Sequence, residues 1–144
     1  CDRTMVEQVL LNLARNGIQA MEDERIAPAD RLLEIHVHPV SERWVEWRVA
    51  DHGLGIPAAV GEQLFTPFFT TKPEGMGMGL AMCRTVIEQH GGALEFSSQA
   101  WVAHPPADPP GHALPRLPHG SIFRFTLPAA GAPPGRGATP APPV

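Results

Sequence analysis

One carboxylate and two separate glycine turns occupy the middle of the chain: Asp51-His52-Gly53-Leu54-Gly55, then Gly75-Met76-Gly77-Met78-Gly79-Leu80. An ionised Asp51 accepts hydrogen bonds only, which suits the exocyclic amine of a purine. Gly53 and Gly55 let backbone approach a flat base without a side-chain clash. Gly75, Gly77 and Gly79 come just before an apolar-periodic segment, so their amides and a helix N-terminus can form a nest for phosphates. Asn12 and Asn16 are four residues apart and therefore share a helix face, with Arg15 beside them. An amide oxygen suits a hard cation such as Mg²⁺, with water and phosphate completing its shell, and Arg15 suits a phosphate. Taken together, these residues have the chemistry to hold a purine, a polyphosphate and a divalent ion in one cleft.

Each feature has an ordinary reading when taken alone. Asp-His-Gly is a common end to a strand, an asparagine pair is a common solvated helix face, and spaced glycines make hinges. The glycine run is not the dinucleotide fingerprint, because the spacing G-x-G-x-G-L lacks the later glycine and no strand precedes it. It also lacks the G-K-S/T ending of a Walker loop. The inference rests on several features arriving in one order.

Those residues must be carried by particular elements. Residues from about 3 to 24 read as a helix, with Asp2 as its cap or Thr4 and Glu7 as a capping box. Val6, Val9, Leu10, Leu13, Gly17 and Met21 fall on one face, and Gln8, Asn12, Arg15, Asn16 and Gln19 form a polar stripe beside it. Pro28 breaks the pattern. Leu33, Ile35 and Val37, then Val45, Trp47 and Val49, alternate with polar residues across a turn at 39–43, which predicts an antiparallel hairpin. Asp51 has the parity of Val45, Trp47 and Val49, so its carboxylate is expected on the core side, a costly place without a partner. Pro57 opens a short helix through about Leu64, and 65–76 reads as a mobile lid. A second long helix is expected from about Met78 to His90, stopped by Gly91 and Gly92. Leu94 and Phe96, then Phe123, Phe125 and Leu127, mark two more strands.

Composition sets the outer bounds. The 144 residues suffice for one domain with a core, and a net charge of −4 gives no broad electrostatic reason to bind nucleic acid or an anionic membrane. No apolar run reaches the roughly 18 residues of a membrane span, and no leader precedes the first helix, so a cytoplasmic fragment of something larger is expected. With only Cys1 and Cys83, a disulfide framework is not expected, and Cys83 reads as a packed thiol. Twelve of the 17 prolines lie after residue 100. Residues of about 99–119 therefore read as an insertion before the last strand, and 129–144 as a disordered tail or linker.

Four blocks resemble the N, G1, F and G2 boxes of sensor histidine kinases. They are Gln8 to Asn16, Asp51 to Gly55, Phe65-Thr66-Pro67-Phe68-Phe69-Thr70-Thr71-Lys72, and Gly75 to Leu80. The order and spacing match as well, most closely those of the nitrogen- and oxygen-responsive kinases. The resemblance implies an α+β fold, a two-layer sandwich of Bergerat type whose mixed, mostly antiparallel sheet is covered on one face by helices. It also implies an ATP-binding catalytic domain over residues 1–128, N-terminally truncated. By match to the family's motifs, Asn16 would hold Mg²⁺, Asn12 and Arg15 would lie on the phosphate side, and Asp51 would anchor adenine. Thr70, Thr71 and Lys72 would belong to the lid, and Gly75, Gly77 and Gly79, with Leu80 closing the block, would wrap the triphosphate.

Related ATPases have a glutamate where this chain has Asn12, and an amide cannot serve as that base. The substitution favours phosphoryl transfer to a protein histidine on a separate helical dimerisation domain, and from there to a response regulator. None of His36, His38, His52, His90, His104, His112 or His119 fits the family's acceptor pattern. Two other readings stay open: an ATPase of the superfamily, or a pseudokinase that signals through partner contacts. His52 stands where the family usually has Asn, and Gly17 where it usually has Ala.

Overall fold

A computed structural model describes residues 2–73, 75–99 and 119–130. The prolines of 105–118 and the tail from 131 lie outside them, as does Cys1. Helix α1 spans Arg3–Ala20, and the Asp2 carboxylate caps it by accepting the Met5 N–H at 3.2 Å. Val6, Val9, Leu13 and Gly17 form its buried stripe. The helix stops earlier than its apolar period suggests. Beyond the cap at Met21, Asp23 Oδ1 accepts the Arg25 backbone N–H at 2.9 Å, an alternative to helical pairing that Asp side chains favour. Ile26, 2% exposed, then turns the chain back into the core.

The hairpin forms as expected, from β1 (Leu33–Pro39) and β2 (Trp44–Asp51). A short helix, α2 (Ala58–Gly61), and turns through 62–73 lead to α3 (Gly79–Gln89). Strands β3 (Leu94–Gln99) and β4 (Gly120–Pro128) follow, and the sheet order is β1-β2-β4-β3. All three described pairings are antiparallel. The last strand thus enters between its predecessors, which places Ser121 directly opposite Asp51.

Both long helices pack on one face of this sheet. Val9, Leu13, Cys83 and Ile87 meet Val49, Leu94, Phe123, Phe125 and Leu127 there. Trp47 stacks on Phe125 with ring planes 4° apart, and Phe96 continues the row over Phe123. The other face is polar: Glu46 is buried between Arg48 at 2.5 Å and His38 at 3.3 Å. Among the described residues no cluster of His, Cys, Asp and Glu could hold a metal; on β1, His36 is exposed and His38 half-buried. No described helix is long and apolar enough to cross a membrane.

Candidate functional site

The parity of β2 sends Asp51 inward, where it is 7% exposed beneath Gly17 of α1. Its Oδ1 accepts the Gly53 N–H at 2.9 Å, and the backbone of Ser121 also bonds the carboxylate. Burial pushes the Asp51 carboxyl above its ordinary range, while the two backbone bonds and nearby His52 pull it back. A side chain at Gly17 would start 2.8 Å from Leu33 Cδ1, 3.2 Å from Asp51 Cβ and 3.7 Å from Asp51 Oδ2. An alanine there would press on the movable end of Leu33 and make a tight contact with Asp51 Cβ, so the glycine eases the approach of the helix to the carboxylate. Gly53 is more tightly constrained, since a Cβ there would lie 2.7 Å from Asp51 Oδ1, 2.8 Å from Ala20 Cβ and 2.9 Å from the Ala20 carbonyl oxygen. Gly55 takes φ 74°, a conformation that L side chains rarely adopt.

The asparagines of α1 face two other blocks. Asn12 Nδ2 donates to Cys83 Sγ at 3.4 Å, which leaves its Oδ1 for another partner. Gly79, at the start of α3, makes room for that amide: a Cβ there would sit 2.8 Å from Asn12 Nδ2. Asn16 Oδ1 accepts from Lys72 Nζ at 3.2 Å, and Gln19 Oε1 accepts from the same ammonium. Burial lowers the Lys72 pKa, and the Arg15 guanidinium lowers it further. Thr70 Oγ1 accepts the Lys72 N–H at 3.0 Å, so the segment is bent locally before it crosses to α1.

The glycines near 77 pack on the same segment. A Cβ on Gly75 would clash with Thr70 Oγ1, and one on Gly77, at φ 69°, would lie 2.4 Å from the Phe68 carbonyl carbon. Phe68 itself takes φ 66° and donates its N–H to Gly77 O at 2.9 Å. A non-glycine residue in this region is strained, and such strain collects at ligand loops. Thr71 is exposed, and Leu80, next after Gly79, packs against the core. The C-terminal half of α1 therefore touches every block: Asn12 meets Gly79, Asn16 and Gln19 meet Lys72, and Gly17 and Ala20 meet Asp51 and Gly53.

An apolar hollow of about 390 Å³ lies elsewhere, between Arg3, Val6 and Leu10 of α1 and Val45, Trp47 and Leu127 of the sheet. Its lining is mostly apolar and contains no glycine turn and no asparagine, and Arg3 is offset there by Glu7.

Three further residues touch the site: Gln19, Cys83 and His119. Gln19 lies on the polar stripe of α1, three residues after Asn16, and so was within reach of the pattern. Cys83 stands one turn after Gly79, on the same helix face. His119, whose Nδ1 bonds Gly53 O at 2.6 Å, had no such clue.

Burial holds Cys83 at 3% exposure and pushes its thiol up to about 11. Iodoacetamide at pH 8 is therefore expected to leave Cys83 unmodified in the folded chain and to modify it fully in denaturant, as read by peptide mass mapping. Because the folded value lies above the unfolded one, the stability held by the protonated thiol is complete below about pH 9. It is lost as pH rises toward 11.

The family described as histidine kinase-, DNA gyrase B- and HSP90-like ATPases matches residues 1–131. Sensor protein TdiS of Thauera aromatica is 39% identical over 124 residues, covering 85% of this chain and 19% of that protein. Sensor protein FixL of Bradyrhizobium diazoefficiens is 38% identical over 129 residues, covering 90% of this chain and 21% of its own length. The chain thus spans about a fifth of these relatives. Among solved structures, the catalytic domain of histidine kinase ThkA is 31% identical with a TM-score of 0.65, covering 89% of this chain and 68% of that one. The mycobacterial sensor histidine kinase MprB gives 25% identity and the same TM-score, covering 89% and 72%. The chain belongs to this ATPase family. Its fold and relatives place it on the sensor histidine kinase side, as an ATP-binding catalytic domain.

Proposed function

We propose that this domain binds Mg²⁺-ATP and presents the terminal phosphoryl group to a histidine on a helical dimerisation domain of the parent protein. A response regulator then takes the group from that histidine, and the work is done in the cytoplasm. What supports this most is the meeting of three chain-distant blocks along one half of α1, which carries the fourth. In this reading Asp51 accepts from the adenine amine with the carboxylate oxygen that Gly53 leaves free. Gly53 and Gly55 admit the base.

Asn16 would hold Mg²⁺, and the donor set fits, because its Oδ1 already draws a cation, the Lys72 ammonium. When bound, the ion neutralises phosphate charge. Asn12 and Arg15 would lie on the phosphate side, and Lys72, carried by Thr70 and Thr71, would turn from Asn16 to the phosphates. Gly75, Gly77 and Gly79 would lay their amides along the same groups, with Leu80 seating that turn on the core. Asn12 cannot take a proton from water, so the domain holds ATP for transfer rather than hydrolysis. Residues 1–128 would form this unit, with an insertion at about 99–119 and a linker from 129.

Calorimetry of the 144-residue chain is expected to show ATP and ADP binding that depends on Mg²⁺. Supplying the parent's helical segment should then allow radiolabel from the γ-phosphate of ATP to appear on its histidine. Steady phosphate release with no labelled protein would point instead to an ATPase.

A further inference from the structure

His119, immediately before β4, reaches 66 residues back along the chain, where its Nδ1 lies 2.6 Å from Gly53 O. A carbonyl only accepts, so Nδ1 carries the proton and donates it. Gly53 is then held by both of its backbone polar groups: its C=O by His119 and its N–H by Asp51 Oδ1 at 2.9 Å. The third side is closed by Ala20, which leaves no room for a Cβ.

The rest of the loop is anchored independently. His52 donates its backbone N–H to Leu32 O, and its ring meets Glu34 Oε2 at 3.2 Å. Ile56 N–H bonds Ser98 Oγ at 2.6 Å. β4 keeps its own pairings with β2 and β3, which do not use the His119 side chain. Loss of the imidazole therefore frees one peptide group and leaves the strand and the loop ends in place. That Gly53–Leu54 peptide is joined through the Gly53 Cα to the His52–Gly53 peptide, whose N–H engages Asp51 Oδ1, so holding its carbonyl holds the glycine that donates.

We infer that His119 is a positioning residue for base recognition: by holding the Gly53 carbonyl it aims the free oxygen of Asp51 at the amine of an adenine nucleotide. The inference rests on Asp51 being the adenine anchor. It makes His119 a determinant of selectivity: the Ser121 backbone still bonds the carboxylate, but without a fixed Gly53 N–H its orientation is looser, which rewards an amine less and rejects a 6-oxo base less.

The test compares His119→Ala, His119→Asn and the parent chain by competition binding of ATP and GTP in Mg²⁺, with thermal melting alongside. His119→Ala is expected to weaken ATP about tenfold, the worth of one positioned hydrogen bond, with GTP little changed. His119→Asn places an amide N–H close to where Nδ1 stands, so it should restore most of the ATP affinity. Unchanged ATP binding in His119→Ala, an equal loss for ATP and GTP, or no recovery in His119→Asn would each overturn the inference. An Asp51→Asn control separates the two ideas. If that control binds ATP normally, the adenine assignment fails first; if it loses ATP while His119→Ala keeps it, only the role of His119 fails.

Discussion

Asp51→Asn is expected to leave the domain folded while reducing adenine-nucleotide affinity by about 100-fold or more, the scale of a lost charged hydrogen bond with a donor left facing a donor. The amide oxygen can still accept the Gly53 N–H, now 2.9 Å from Oδ1, so the loop keeps its internal bond. That choice turns the amide nitrogen into the place of Oδ2, toward the adenine amine. Two donors then meet in a site that is 7% exposed, where water cannot relieve them.

Stability should move the other way or not at all. Burial raises the Asp51 pKa, so the ionised form is disfavoured on folding, and its contribution improves as pH falls and worsens as pH rises through that raised value. A neutral isostere removes this penalty. Calorimetry with ATP and thermal melts across pH would check both halves. A variant that melts as the parent does and still binds ATP as tightly would remove Asp51 from base recognition.

Much of this arrangement is legible from period and parity. The apolar stripe of α1 locates its buried face, and with it the side on which Asn12, Asn16 and Gln19 stand. Alternation through Val45, Trp47 and Val49 carries Asp51 to the core side, and the structure keeps it there. Tertiary competition is less legible. The end of α1 depends on Asp23 capturing Arg25 and on Ile26 sinking into the core, events that a helical period read through Met21 does not register. Strand order is similar, since nothing in the alternation of Phe123, Phe125 and Leu127 says that β4 enters beside β2. The bonds of Lys72 to Asn16, Asn12 to Cys83 and His119 to Gly53 join residues 56, 71 and 66 positions apart. Such pairs exist only once the sheet order has brought them together.

Gly79→Ala separates local propensity from function in the sharpest way. In a helix, alanine is favoured over glycine by about 1 kcal/mol, so the substitution should by itself steady the first turn of α3. Its Cβ, however, would stand 2.8 Å from Asn12 Nδ2 and 3.0 Å from Asn12 Oδ1. Asn12 must swing away and give up Cys83 Sγ, and the methyl then occupies the approach to the amides of the helix N-terminus. Thermal stability is therefore expected to stay near that of the parent while ATP affinity falls roughly 10- to 100-fold, the range for one or two charge-assisted contacts. The loss should follow the phosphates. Affinity should fall more for ATP than for ADP and hardly at all for adenosine, whereas Asp51→Asn should weaken all three. If Gly79→Ala weakens adenosine as much as ATP, the small residue at this position serves the packing of α1 on α3, and the phosphates lie elsewhere.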